Sequence, residues 1–486
     1  MGGNGSKGAA SSDRKRSGSS SKGKKKLPTP QERNVDYPHV EASGDTLNME
    51  MDGDAYVALL EKLIGESEHV QNFPPSLVPQ EDKIVAHVLA ELDPYTKEKG
   101  GPLTVEKFTF TEGRSNVVIT YEGKSKGTEN EFNIGFVGSH LDVVPADPET
   151  WDRNPFKLCV EGDKLYGRGT TDCLGHVALV TRFFVQLAKL SPDLNASITG
   201  VFIASEENDS IPNVGVDKLV ETGRLDCLKK GTVLWIDASD SEPCMGTAGA
   251  MPWHLHIHGK RFHSGLPHKG INPIELGAEA LAYIQKRFYG EFMPHPEEHR
   301  YQFSTPSTMK PTSIKCASGS LNQIPPHVTI SGDIRLTPFY DTKKVMAAVE
   351  GYVKEVNEGI EKLPRHGPCS KYVLPSEGRR GKIELEWASP EPMRGIACDI
   401  DSPGFFALES SCRSIRGSSK PYSICGSLPL VQDMKEAGFD LQITGFGLSS
   451  TYHADNEYCQ LSDMKNAMKI LSLFVSKLES HAETLK

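Results

Sequence analysis

The feature that most constrains this chain is a change of period in its apolar residues. At 56–64 and 81–92 they recur at helical spacing. Beyond that point the apolar runs become short and β-branched, at 116–121, 134–138, 197–204 and 232–236, and these predict strands. The stretch 173–190 reads as a buried helix between two of them. Strands alternating with helices indicate an α/β fold with a mostly parallel, mixed sheet. In such sheets ligands gather where the strands end.

Composition narrows the class further. At 486 residues the chain exceeds what one hydrophobic core usually holds. No run of 18 apolar residues is present, so no segment reads as a membrane span. The net charge of −10 is unevenly placed. Residues 1–30 hold eight basic side chains against one acid, so the rest must carry −17, which argues against a nucleic-acid surface. Ser and Gly fill much of that basic stretch, and residues 1–45 are expected to be a disordered tail. The tail opens Met-Gly2-Gly-Asn-Gly-Ser6, a myristoylation pattern at Gly2 followed by a polybasic patch. Together these two signals suit peripheral membrane contact through residues 1–30; a plain basic extension is the alternative. Ten cysteines without a Cys-x-x-Cys pair, and no signal-peptide core, indicate reduced thiols and a cytoplasmic protein.

Metal-binding side chains fall at the ends of the expected strands. His140 and Asp142 follow the run at 134–138, two residues apart and therefore on one side of an extended segment. Asp172 closes a glycine-rich turn before the buried helix, where an N-cap is the competing reading. Glu206 and Glu207 follow the run at 197–204. Adjacent side chains there point different ways, so one can bind metal while the other faces a reacting water. Asp237 ends the next strand, and His453 lies far downstream. A lone His-x-Asp pair also fits a structural hydrogen bond, but the combined pattern is more specific than any member.

Gly138-Ser-His140-Leu-Asp142-Val-Val-Pro145, Gly167-Arg-Gly169-x-x-Asp172, Glu206-Glu207 and His453 closely resemble the two-zinc aminoacylase and carboxypeptidase family. The resemblance covers about 54–478, and several segments look most like its plant-type acetylornithine deacetylases. It implies two divalent ions, zinc with cobalt as the alternative. His140, Asp172 and Asp237 would hold one, and Asp172, Glu207 and His453 the other. Glu206 would be the general base and Asp142 the partner of His140. Many relatives carry a Glu-Pro pair at the fifth ligand, and here Glu242-Pro243 makes Glu242 the rival of Asp237. The implied reaction is hydrolysis of an N-acyl amino acid, foremost N-acetylornithine in arginine biosynthesis. A dipeptidase or another aminoacylase is the alternative, and a non-catalytic membrane-attached binding protein the reading from a different class.

Past Gly249 the pattern starts anew. Strands are expected at 253–258, 328–336 and 383–387, and helices at 273–287 and 345–360. His254, His256 and His258 fall on one strand face and read as its exposed side. The order resembles the family's inserted α+β lid, used for dimerisation. The expected division is a catalytic part at 50–248, a lid at 249–392 and a second catalytic part at 393–486. By the same resemblance His263 reaches the partner's site in a homodimer to stabilise the oxyanion, and Asn322 bonds the same region. Arg335 is a candidate for pairing with a substrate carboxylate.

Overall fold

Alternate residues of the central strands serve two different cores, because side chains in a strand point to opposite faces. Ile134, Phe136, Leu234 and Ile236 pack with helices Gly53–Gly65, Leu174–Leu190 and Leu461–Thr484. Val137, Val233, Trp235 and Ile443 pack on the other face with the short helices Val216–Glu221 and Val431–Glu436. A sheet buried on both sides needs apolar residues at every position, which is why these strands read as continuous apolar runs. The computed structural model describes residues 40–41, 47–208, 211–237, 240–367, 369 and 372–484. The expected tail with Gly2 lies outside the described residues, apart from 40–41. No described helix is long and apolar enough to cross a membrane.

The large sheet has eight strands. Its centre runs Ser197–Phe202, Asn133–Val137, Gly231–Ile236, Asp440–Thr444, all neighbours parallel. The flank Leu103–Thr111 and Arg114–Tyr121 is an antiparallel hairpin, joined through Gly113 at φ +78°. A two-residue turn with positive φ suits the twist of such a pair. The strand Leu103–Thr111 has no counterpart in the sequence reading, because it is an edge whose residues are mostly half-buried or exposed. The helix Leu174–Leu190 buries nearly its whole surface, in keeping with its largely apolar sequence.

After Cys244–Thr247 the chain leaves this sheet and enters a second one, of order Thr308–Cys316, His327–Leu336, Gly249–His258, Lys382–Trp387. It is antiparallel throughout. Helices Pro273–Glu291 and Thr342–Glu358 cover one face and close a separate core around Trp253, Leu255 and Ile257. Asn272 and Asp341 cap the two helices through their side chains. The chain returns beside its exit: Ala250 bridges Met393 and Gly246 bridges Ala397. Both crossings are glycine-dependent, since a Cβ on Gly249 would sit 2.5 Å from the Met393 carbonyl oxygen and one on Gly395 2.3 Å from that of Thr247.

Candidate metal centre

Each acid and histidine of the centre is delivered by the end of a parallel strand or by a loop folded over it. Gly138, at φ +97°, turns the chain out of Asn133–Val137 and lies against the Trp235 ring, where a Cβ would clash at 2.7 Å. His140 follows and is fully buried. Its Nδ1 lies 2.9 Å from the Asp142 carbonyl oxygen. A carbonyl only accepts, so Nδ1 carries a proton and Nε2 is the nitrogen turned toward the acids of the cavity.

Asp172 joins the two histidines. One of its oxygens lies 2.9 Å from His140 Nε2 and the other 3.1 Å from His453 Nε2. His453 also meets Glu207 at 3.1 Å, while Asp237 and Glu206 approach His140 Nε2 at 3.6 and 3.9 Å. The N-cap reading of Asp172 fails, because Cys173 holds that position and makes no side-chain cap. Glu242 is elsewhere: its carboxylate accepts from Arg416, Ser419 and the Lys420 N–H. Arginine and a backbone donor already satisfy it, and the cluster contains Asp237 instead.

Asp142 stands beside His140 and holds more than that histidine. Its carboxylate stands 3.5 Å from His140, while the backbone carbonyl takes the histidine's hydrogen bond. The carboxylate also accepts from the N–H groups of Glu206 and Glu207, both at 3.1 Å, and from Asn72 at 2.7 Å. It therefore fixes the turn that aims the two glutamates. Glu457 does the same for the opposite wall. Fully buried, it accepts from the N–H groups of Gly169, Thr171 and Asp172 and pairs with Arg168 at 2.6 Å.

Electrostatics at the centre are unbalanced. Burial and the neighbouring charge of Asp237 push Glu206 well above the usual carboxylate range. Burial and Asp172 raise Glu207 to about 7. Burial would raise Asp172 too, but hydrogen bonds from His140 and His453 hold it low. The bonds that His453 donates to Asp172 and Glu207 lift it in turn to about 10. One oxygen each of Glu206 and Glu207 is buried with no hydrogen-bond partner. Orphaned acceptors in a buried cluster of acids and imidazoles are what a cation would satisfy. The oxygen and nitrogen donors also suit a divalent ion such as zinc. Ligand atoms of His140, Asp172 and Glu207 lie within 4.8 Å of one another, as do those of His140, Cys173 and Asp237.

The cluster floors a cavity of about 730 Å³. Its walls include Asp240, Tyr422, Tyr452 and the segment Ser427, Leu428 and Pro429. Arg335 stands behind that segment, its Nε donating to Asp333 at 2.6 Å and an Nη 3.4 Å from the Ser427 hydroxyl. His263 and Asn322 are not among the lining residues. They sit together at an exposed two-stranded antiparallel ladder, where the Ser264 N–H donates to the Asn322 carbonyl. Asn72, Cys173, Asp240 and Glu457 had no assigned role in the sequence. Glu457 had a signal, four residues after His453, whereas Asn72 lies in a loop without any pattern.

Comparison with known proteins gives the family. Residues 136–477 match peptidase family M20/M25/M40. An acetylornithine deacetylase of Dictyostelium discoideum is 53% identical over 440 residues, covering 89% of this chain and 98% of that protein. An acetylornithine deacetylase of Arabidopsis thaliana is 52% identical over 430 residues, covering 88% and 96%. The fold is similar to that of a dinuclear metal-binding M20 peptidase from Bacillus subtilis, with a TM-score of 0.56 at 13% identity over 88% of this chain and 99% of that one. A match over most of the length, together with a buried cluster of histidines and carboxylates at the strand ends, leaves one conclusion: the chain belongs to peptidase family M20/M25/M40 and is a metal-dependent hydrolase.

Proposed function

We propose that this protein hydrolyses the amide of an N-acyl amino acid, N-acetylornithine first among them, releasing acetate and ornithine in arginine biosynthesis. One observation carries the chemistry: Asp172 directs one oxygen to each of two histidines, beside glutamates whose buried oxygens lack partners. The substrate follows from the two deacetylases that match nearly end to end.

His140, Asp172 and Asp237 would hold one ion, and Asp172, Glu207 and His453 the other; zinc fits the donors, and cobalt would too. Bound there, divalent ions supply Lewis-acid polarisation of the carbonyl and a more acidic water. Glu206 is the proton carrier. Its raised pKa suits a group that must take a proton from water and give it to the departing amine, a role typically contributing about 10²–10⁴-fold. Asp142 keeps Glu206 and Glu207 aimed through their N–H groups, so the base and the ligand cannot exchange places. Arg335 would meet the substrate carboxylate at the rim.

His263 and Asn322 belong to the reading of a homodimer, in which they would reach the partner's cavity and His263 would oppose the oxyanion charge. Their exposure beside a short two-stranded ladder supports it, as does the largely exposed edge strand Thr308–Cys316, which leaves backbone groups open to pairing. The parts flanking the antiparallel sheet would then be catalytic and the sheet itself a lid.

The test is metal analysis of the purified protein with an assay of N-acetylornithine against other acyl amino acids and dipeptides. Two equivalents of metal and preference for N-acetylornithine are expected. Preference for a dipeptide would replace the substrate, and a metal-free, inactive protein would end the reading. For the dimer, a Glu206→Gln chain mixed with a His263→Ala chain should regain activity if sites are shared.

A further inference from the structure

Of the described carboxylates lining the cavity, Asp172, Glu206, Glu207 and Asp237 stand around the histidines, and only Asp240 stands apart. Asp240 sits at φ +75°, a left-handed conformation fixed at both ends of the residue. Its N–H donates to the Gly447 carbonyl at 3.0 Å, and its Oδ1 accepts the Ser449 N–H at 3.0 Å. This aims the carboxylate at the loop carrying Tyr452, on the wall that Tyr422 also lines.

We propose that Asp240, on the cavity wall it shares with Tyr422 and Tyr452, is the specificity-determining residue that receives the cationic side chain of the substrate. The inference rests on the deacetylase reading and adds to it the end of the substrate that the metal cluster does not address. A primary ammonium is repelled by divalent ions and must be held away from them near a compensating charge. A carboxylate on a wall that also carries two tyrosines meets both needs, by a charge-assisted hydrogen bond and by aromatic rings open to cation–π attraction. Oδ1 is engaged with the backbone, which fixes the group without neutralising it. The substrate's carboxylate would lie toward Ser427, behind which Arg335 stands.

The measurement is the ratio of kcat/KM for N-acetylornithine to that for N-acetylnorvaline, which lacks only the amine. Asn at 240 keeps the oxygen that Ser449 needs, so the loop should hold. In Asp240→Asn the ratio is expected to fall by roughly tenfold to a hundredfold, the usual worth of a hydrogen bond to a charged group. Asp240→Lys should go further and favour N-acetylglutamate over N-acetylornithine. An unchanged ratio in an active, metal-loaded Asp240→Asn enzyme, or an equal loss on both substrates, overturns the subsite and leaves the deacetylase reading standing. Failure of the unaltered enzyme on every acyl amino acid overturns both.

Discussion

Two regions of this molecule are rich in histidine and acid, and they behave in opposite ways. At the metal centre His140, His453, Asp172, Glu206, Glu207 and Asp237 converge from strand ends and one loop into a largely buried cavity floor. On the open face of the antiparallel sheet, His256 pairs with Glu386 at 2.7 Å, His258 with Glu384 at 2.9 Å, and His254 with the Ser331 hydroxyl. The two His–Glu pairs are about a third to a half exposed on the histidine side, and none of the three imidazoles falls in a ligand group. Residue type is shared; convergence and burial are not. Concentrated in low dielectric, acids perturb one another and require a cation, whereas spread over a solvated sheet they are screened.

That contrast is open to attack, beginning where the effect should be greatest. Asp172→Asn removes the group shared by both histidines, so metal content by elemental analysis should fall sharply and turnover with it; full metal occupancy would dissolve the comparison. In Glu206→Gln metal should remain while kcat drops by about 10²–10⁴-fold. Normal turnover there would remove Glu206 from its role. Glu457→Ala leaves Arg168 buried without its partner, which costs about 3–5 kcal/mol, read as a lowered denaturation midpoint. It also frees the turn bearing Asp172, so metal affinity should weaken in parallel.

A pH scan sharpens the same contrast. In metal-free protein, Glu207 and His453 both stand above their unfolded values, so the folded state binds the extra protons. Its stability should therefore fall as pH rises through about 7 and on toward about 10. Metal uptake should run the other way, tightening with pH as those protons are displaced, and calorimetry in buffers of different ionisation heat would count them. A metal-free melting temperature that climbs over this range contradicts the assignment. The smallest effect is expected on the sheet face: Glu386→Ala and His256→Ala should each change stability by about 0.5 kcal/mol or less. Neither should alter metal content.

Much of this was legible in the chain itself. The helices at Gly53–Gly65 and Leu174–Leu190 and the parallel core strands announce themselves because burial imposes a local period. So does the exposure of His254, His256 and His258, which follows from alternation along a strand. What stayed hidden were contacts without a period. The Asp142 carboxylate binds N–H groups 64 and 65 residues away, and Glu457 reaches across 285 to 288 residues to the Asp172 turn. Backbone donors carry no residue identity, so no spacing in the sequence marks them.

The choice between Asp237 and Glu242 shows the boundary well. Both are acids near the end of one strand, and the Glu-Pro pair pulled toward the second. Arg416 and the Lys420 N–H, which bind Glu242, come from a distant helix end and the loop after it. By itself the sequence determined the strands, the buried helix and the kinds of ligand, because local periodicity records which face is buried. Tertiary structure alone decided which acids meet which histidines, because that depends on strand order in the sheet: segments 197, 133, 231 and 440 lie side by side in an order the chain does not follow.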